Sequence, residues 1–226
     1  MVKITISEEI AKKCPDLHVL AISCDMVNTP SDPELWKEIA QVEDQVKKNF
    51  RLEEVNKWLP IKATRQAYKS LGKDPNRYRP SAEALYRRIL RGLTLYKIDT
   101  LVDIVNLISI KTGYSIGAFD VDKISGENIT LGIGREGEKY EGIGRGCLNI
   151  SGLPVYRDAL GGIGTPTSDE ERTKIELSTT KLLMIVNGYS GFEGLNEAGI
   201  LTENLLKRYV SASNLKMCTI SFSNQI

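Results

Sequence analysis

Apolar and polar positions along the chain fall into runs of two periods. Val2 to Ile6 alternates as a half-buried strand does, and Ser7 then opens a short helix with Glu8 and Glu9 in its first turn. Leu17 to Cys24 reads as a second, buried strand. Ser31-Asp-Pro-Glu34 offers a capping box with Pro at a first helical position, and Leu35, Ile39, Val42, Val46 and Phe50 keep helical spacing to about Arg51. A helix over Lys62 to Leu71 is stopped by Gly72, and the loop from Lys73 to Pro80 delivers Ser81 as N-cap of a helix to Leu90. Asp99 to Thr112 is helical, capped by Asp99 or Thr100 and closed by Gly113, and apolar on nearly every face, so it is expected to be buried. Its polar exceptions, Asp103, Asn106 and Ser109, recur every third residue and need a polar cleft or internal partners. Between Gly113 and Gly164 lie 13 of the 19 glycines, alternating with short β-runs, which predicts a sheet with tight turns. Leu182 to Val186 is a buried strand, Asn196 to Val210 an amphipathic helix, and Lys216 to Phe222 a closing strand.

The interleaving of strands and helices over 226 residues, without a Pro/Ser-rich linker, predicts one α/β domain spanning 1–226. The longest strictly apolar stretch is Leu182 to Val186, far short of the roughly 20 residues of a bilayer span, and a cytoplasmic protein with no membrane partner is expected. Four dispersed cysteines without paired spacing give no starting point for a Cys/His zinc site, and a Ser/His or Cys/His nucleophile pair would have to use the lone histidine, His18. His18 reads as a strand residue.

Charge is uneven. The net charge is +1, yet Ile61 to Ile98 carries ten basic residues against Asp74 and Glu83, a local +8 that leaves −7 for the rest. Tyr68, Tyr78 and Tyr86 are interleaved with it, a combination suited to phosphate contact and to stacking on unpaired bases, and equally to a solvated helix pair. Gly132-Ile-Gly-Arg-Glu-Gly137 spells a dinucleotide-type glycine motif, but the glycine-broken run behind it cannot open the required helix, so β-turns are expected. The loop Asp158 to Thr173 concentrates hydroxyls, carboxylates and flexible backbone, as site walls do, and Ser168 offers a helix cap.

Four ordered blocks, Asn76 to Leu85, Thr100 to Ser109, Ile116 to Ile124 and Gly164 to Thr173, resemble the freestanding relatives of the B-three/B-four editing domain of the phenylalanyl-tRNA synthetase β subunit. The resemblance runs from about Val2 to Tyr209. It implies an α/β fold with a mixed or mostly antiparallel sheet and flanking helices. It also implies a trans-acting hydrolase that deacylates mischarged aminoacyl-tRNA, with the acceptor end of the tRNA and an aminoacyl-tRNA synthetase as candidate partners; that no metal or cofactor is needed is expected from the lack of paired Cys/His ligands and of a surviving cofactor motif. The family's asparagine falls on Asn106 and its neighbouring threonine on Val105. Its histidine is replaced by Gly117, and its tyrosine-reading glutamate falls on Ile185 or Val186. The resulting catalytic candidates are Asn106, Asp120, Asp158, Ser168 and Asp169. The pocket candidates are Val105, Gly117, Thr165, Thr173, Ile185 and Val186, and the tRNA-binding candidates are Arg77, Arg79, Ser81, Glu83, Arg87, Arg88 and Arg91. An aminoacyl ester is already activated, so a positioned water, oxyanion donors and the vicinal ribose hydroxyl suffice for hydrolysis. The rival class is a non-catalytic module binding tRNA, a synthetase or an amino-acid-like ligand.

Overall fold

A computed structural model describes residues 2–224. In chain order it comprises β1 (Lys3–Ile6), α1 (Glu8–Lys13), β2 (His18–Asp25), α2 (Pro33–Asn49), α3 (Leu59–Ser70), α4 (Ser81–Leu90), α5 (Thr100–Thr112), β3 (Ile116–Asp120) and β4 (Asn128–Ile133). There follow β5 (Glu141–Gly142), β6 (Gly146–Cys147), β7 (Pro154–Arg157), β8 (Gly162–Gly164), β9 (Lys181–Gly188), α6 (Leu195–Tyr209) and β10 (Ser213–Ser221).

Two four-stranded sheets and a small β5–β6 ribbon result. The central sheet, ordered β10-β2-β9-β3, is antiparallel throughout. The other, β1-β4-β7-β8, has a parallel β1–β4 pair and antiparallel partners beyond it. The apolar runs of β2 and β9 are continuous because both faces of the central sheet are covered. Leu20, Ile22, Leu182, Met184 and Val186 point into a core shared with the helices, while Val19, Ala21, Leu183 and Ile185 point into a second core against Ile4, Ile6, Ile129, Leu131 and Tyr156 of the other sheet.

The helical layer is centred on α5, which touches α2, α4, α6 and β3. Its ends are set by local chemistry: the Asp99 carboxylate accepts from Val102 N–H at 2.8 Å, and Gly113 closes the helix in the left-handed region at φ 76°. Its polar stripe divides among three fates. Asp103 is fully buried and accepts from Ser31 Oγ and Trp36 Nε1, both at 2.6 Å, and Ser109 donates to the Tyr114 carbonyl. Asn106 faces a cleft.

Three expected caps move. Asp32, not Ser31, caps α2, accepting from the amides of Glu34 and Leu35, because Ser31 is engaged by Asp103. Ser81 is the first residue of α4 behind Pro80, its amide donating to the Pro166 carbonyl. Ser168 caps no helix; Glu170 does so for the single 3-10 turn Glu171–Thr173. The glycine motif at Gly132 to Gly137 ends β4 and enters turns. Among the described residues no helix is long and apolar enough to cross a membrane.

Candidate active site

A cleft of about 850 Å³ opens between α4, α5, the N-terminal half of β3, the β5–β6 turn and the segment after the 3-10 turn. Its walls are two helical stripes, each spaced i, i+3, i+4, i+7: Ser81, Ala84, Leu85 and Arg88 from α4, and Val102, Val105, Asn106 and Ser109 from α5. Ile116 and Ala118 of β3 line it because they lie on the helix-facing side of the strand, and Asp169 and Arg145 complete it.

Asp169 is placed by backbone. It forms an antiparallel bridge with Gly164, its carbonyl accepts from Ile143 N–H at 3.0 Å, and its carboxylate accepts from Ala118 N–H at 3.0 Å. No cation pairs with it among the described residues. Burial therefore pushes its carboxyl up to about 7, against the opposing hydrogen bond from Ala118. Space for it exists because two flanking positions carry no side chain. A Cβ at Gly117 would lie 2.8 Å from Phe119 Cζ and 3.2 Å from Asp169 Oδ1, and one at Gly164 would lie 2.4 and 3.0 Å from the same atoms. Gly117→Ala is accordingly expected to cost about 1–3 kcal/mol by overpacking, read as a lower urea midpoint with unchanged slope.

Asn106 is half-buried, and its side-chain amide has no hydrogen-bond partner among the described residues; both its donor and its acceptor are free to meet a ligand. The exposed Arg145 guanidinium likewise makes no ion pair or hydrogen bond among the described residues. Of the other residues named from sequence, Val105, Ser81 and Arg88 line the cleft.

The remaining candidates lie elsewhere. Asp158 acts on Arg172, which donates to both its oxygens at 2.9 and 3.0 Å, and on the loop amides of Ser125 and Leu160. Burial opposes its ionisation, yet these bonds hold the carboxyl below the usual carboxylate range. Asp120 accepts from Thr179 Oγ1 at 2.8 Å and caps the turn after β3. Thr165 Oγ1 accepts from the amides of Thr167 and Ser168, and Ser168 receives Tyr140 Oη on its carbonyl. Thr173 is fully buried, and Ile185 and Val186 sit in opposite cores on β9, paired with Gly117 and Ile116, outside the cleft lining. His18 lies on β2, its Nδ1 bonded to the Asp16 carbonyl at 3.0 Å.

Part of the basic segment is turned inward, while Lys62, Lys69, Arg77, Arg91 and Lys97 are exposed. Glu83, fully buried, accepts from Arg65 at 2.8 Å and Arg87 at 2.7 Å, with Arg79 at 3.6 Å, so these cations bind α3, α4 and the intervening loop together. Tyr68 and Tyr86 are core residues, and Tyr78 is half-buried with Lys73 Nζ over its ring at 3.7 Å. The aromatic that does face outward is Tyr96, in the extended stretch after Gly92. Tyr96 and Arg145 are among the cleft residues that the sequence did not single out. The available signal was an apolar stretch, Leu93 to Ile98, with no helical period between a glycine stop and the Asp99 cap. Among the described residues no three His, Cys, Asp or Glu side chains converge as a metal site requires.

The architecture is thus an α/β domain whose central sheet carries a helical layer with one large polar-floored cleft. The chain matches the B3/4 domain over residues 63–203, and it belongs to that family. Its fold is similar to the crystal structure of an N-terminal fragment of the phenylalanyl-tRNA synthetase β-subunit from Pyrococcus horikoshii, with a TM-score of 0.50 and 14% identity. That match covers 97% of this chain and 54% of the fragment, so the chain spans about half the length of the structure it resembles. No curated protein sequence matches it significantly.

Proposed function

We propose that the protein is a trans-acting hydrolase that removes the amino acid from mischarged aminoacyl-tRNA, with the ester seated in the cleft beside Asp169. The observation that carries this reading is a carboxyl group raised to about 7 that lines the same cleft as the Asn106 amide, which has no hydrogen-bond partner among the described residues. A group poised near the working pH is suited to general base catalysis. In this reading, ionised Asp169 takes a proton from water as the water oxygen attacks the ester carbonyl. The oxyanion of the tetrahedral intermediate is met by Asn106 Nδ2. Collapse breaks the bond to the ribose oxygen, which leaves with the proton returned by Asp169, and the vicinal ribose hydroxyl orients the water. The aliphatic walls from Val102, Val105, Leu85 and Ile116 take the amino-acid side chain.

The test is a panel of correctly and incorrectly charged tRNAs incubated with substoichiometric protein. Release of amino acid from at least one mischarged species, with repeated turnover, is expected. No release above buffer across the panel would leave a binding module. Asn106→Ala separates site from scaffold: with no partner orphaned by the change, stability should move by less than about 1 kcal/mol. Turnover should meanwhile fall roughly 10²-fold, as for loss of an oxyanion donor. A mutant that melts far lower yet keeps its turnover would assign Asn106 to the scaffold.

A further inference from the structure

The rim of the cleft carries an aromatic platform. Tyr96 is 67% exposed, although it lines the cleft, and Ile98 and Leu177 beside it are exposed as well. An apolar rim of this kind, left in water on a cleft, marks a surface that is covered when a ligand arrives. The Arg88 guanidinium lies over one face of the Tyr96 ring, 4.0 Å from its centroid. Arg88 Nε also donates to the Thr94 carbonyl at 2.6 Å, so the cation is fastened to the stretch of chain that presents the ring. With one face covered and two thirds of the residue exposed, the opposite face of the ring is open. Neither Arg88 nor Arg145, on the other side of the cleft, makes an ion pair among the described residues, whereas Lys174 is paired with Glu171 and Glu176 with Lys123. The charged rim residues without an ion pair among the described residues are therefore both positive, Arg88 at the open aromatic face and Arg145 across the cleft from it. That pairing suits a flat base attached to a phosphate.

We propose that Tyr96, backed by Arg88, is the stacking platform for the unpaired terminal purine of the RNA, and that Arg145 contacts a neighbouring phosphate. The proposal rests on the reading of the cleft as an aminoacyl-tRNA site and assigns the nucleotide end of the substrate to named residues. Stacking there places the ribose, and with it the ester, toward Asn106 and Asp169. The same rim without an RNA would suit an aliphatic peptide, but the guanidiniums of Arg88 at the ring and Arg145 across the cleft, neither in an ion pair among the described residues, favour the polyanion.

The experiment uses the full chain and an uncharged acceptor-stem hairpin with an unpaired CCA end whose terminal adenine is replaced by 2-aminopurine. Wild-type protein should quench the fluorophore on binding. Tyr96→Ala should abolish the quench and weaken binding at least about ten-fold, the scale of one lost base–aromatic stack. Tyr96→Phe should keep both. Because a stack releases no counterion, Tyr96→Ala should leave the salt dependence of binding unchanged, whereas Arg145→Ala should make its slope shallower by roughly one phosphate contact. The exposed position of Tyr96 keeps the variant folded, which its thermal unfolding verifies. Quench and affinity in Tyr96→Ala equal to wild type, or equally tight binding of a blunt hairpin, would overturn the platform. Since the RNA carries no ester, absence of turnover in the deacylation panel leaves this measurement standing. Turnover without any quench would in turn remove the platform and leave the hydrolase.

Discussion

Asp169→Asn should lose activity and gain stability at the same time. As the base of the proposed reaction, the carboxylate is expected to contribute on the order of 10²–10⁴ in rate, so the amide variant should turn over that much more slowly. In the wild type, turnover should rise with pH and level off above about 7, the pH at which the carboxyl ionises, and the variant should lose that inflection. Stability moves in the opposite direction. Below the unfolded value of about 4 both states are protonated. From there to about 7 the unfolded chain ionises while the folded chain keeps its proton, so stability falls as pH rises, and above about 7 the deficit is constant. Asparagine carries no charge to bury and still offers an oxygen to Ala118 N–H, so at pH 8 the variant should be more stable by up to about 4 kcal/mol, with the gain vanishing near pH 4. Urea titrations at those two pH values, beside a pH–rate profile, read both halves. A variant that is slower but not more stable at pH 8 would mean that Asp169 is solvated in the cleft; one that is more stable yet equally active would remove it as the base.

Glu83→Gln should be among the most destabilising single changes in the helical layer. The carboxylate is fully enclosed and answers Arg65 from α3 and Arg87 from its own helix, with Arg79 at longer range. Arg65 also holds the loop ahead of α4, donating to the Pro75 carbonyl at 3.2 Å and to Asn76 Oδ1 at 2.7 Å. Glutamine keeps the volume but leaves enclosed cations without a counter-charge, which costs about 3–5 kcal/mol. Because the cluster is enclosed, the loss should persist at about 0.5 M salt, where exposed pairs are screened. Denaturant unfolding at low and high salt measures it. A loss under about 1 kcal/mol would mean that the arginines turn out to solvent when released.

What could be read from the chain beforehand was what neighbours in sequence determine. The ends of α5 were legible because Asp99 and Gly113 act on amides and carbonyls a turn away, and β2 and β9 because a continuous apolar run of strand length requires two covered faces. The mixed sheet with flanking helices was implied by the family resemblance rather than by these runs. The excess of charge was legible, but its inward part was not, since nothing local shows that Arg65, eighteen positions before Glu83, folds back onto it. Tyr68 and Tyr86 lie on the inward faces of α3 and α4, a matter of helix docking. In the site, Asn106 stood out as a polar residue on an otherwise buried helix. The singular character of Asp169 among the carboxylates did not, because it comes from burial against β3, fifty-one positions away, and from the absence of a cation such as the one Asp158 has in Arg172.

The bare positions at Gly117 and Gly164 bear on how the site can change over time. Phe119, Asp169 and the two glycines occupy one shared volume, so a side chain at 117 and a carboxylate at 169 are alternatives. A chain that acquires the first while keeping the second is strained, and one that loses the second before gaining the first has an empty floor. Passage between the two arrangements therefore needs a compensating change at Phe119 or a paired substitution. Across relatives, residue size at 117 and acidity at 169 should exclude each other, a pattern that an alignment of the family will either contain or lack.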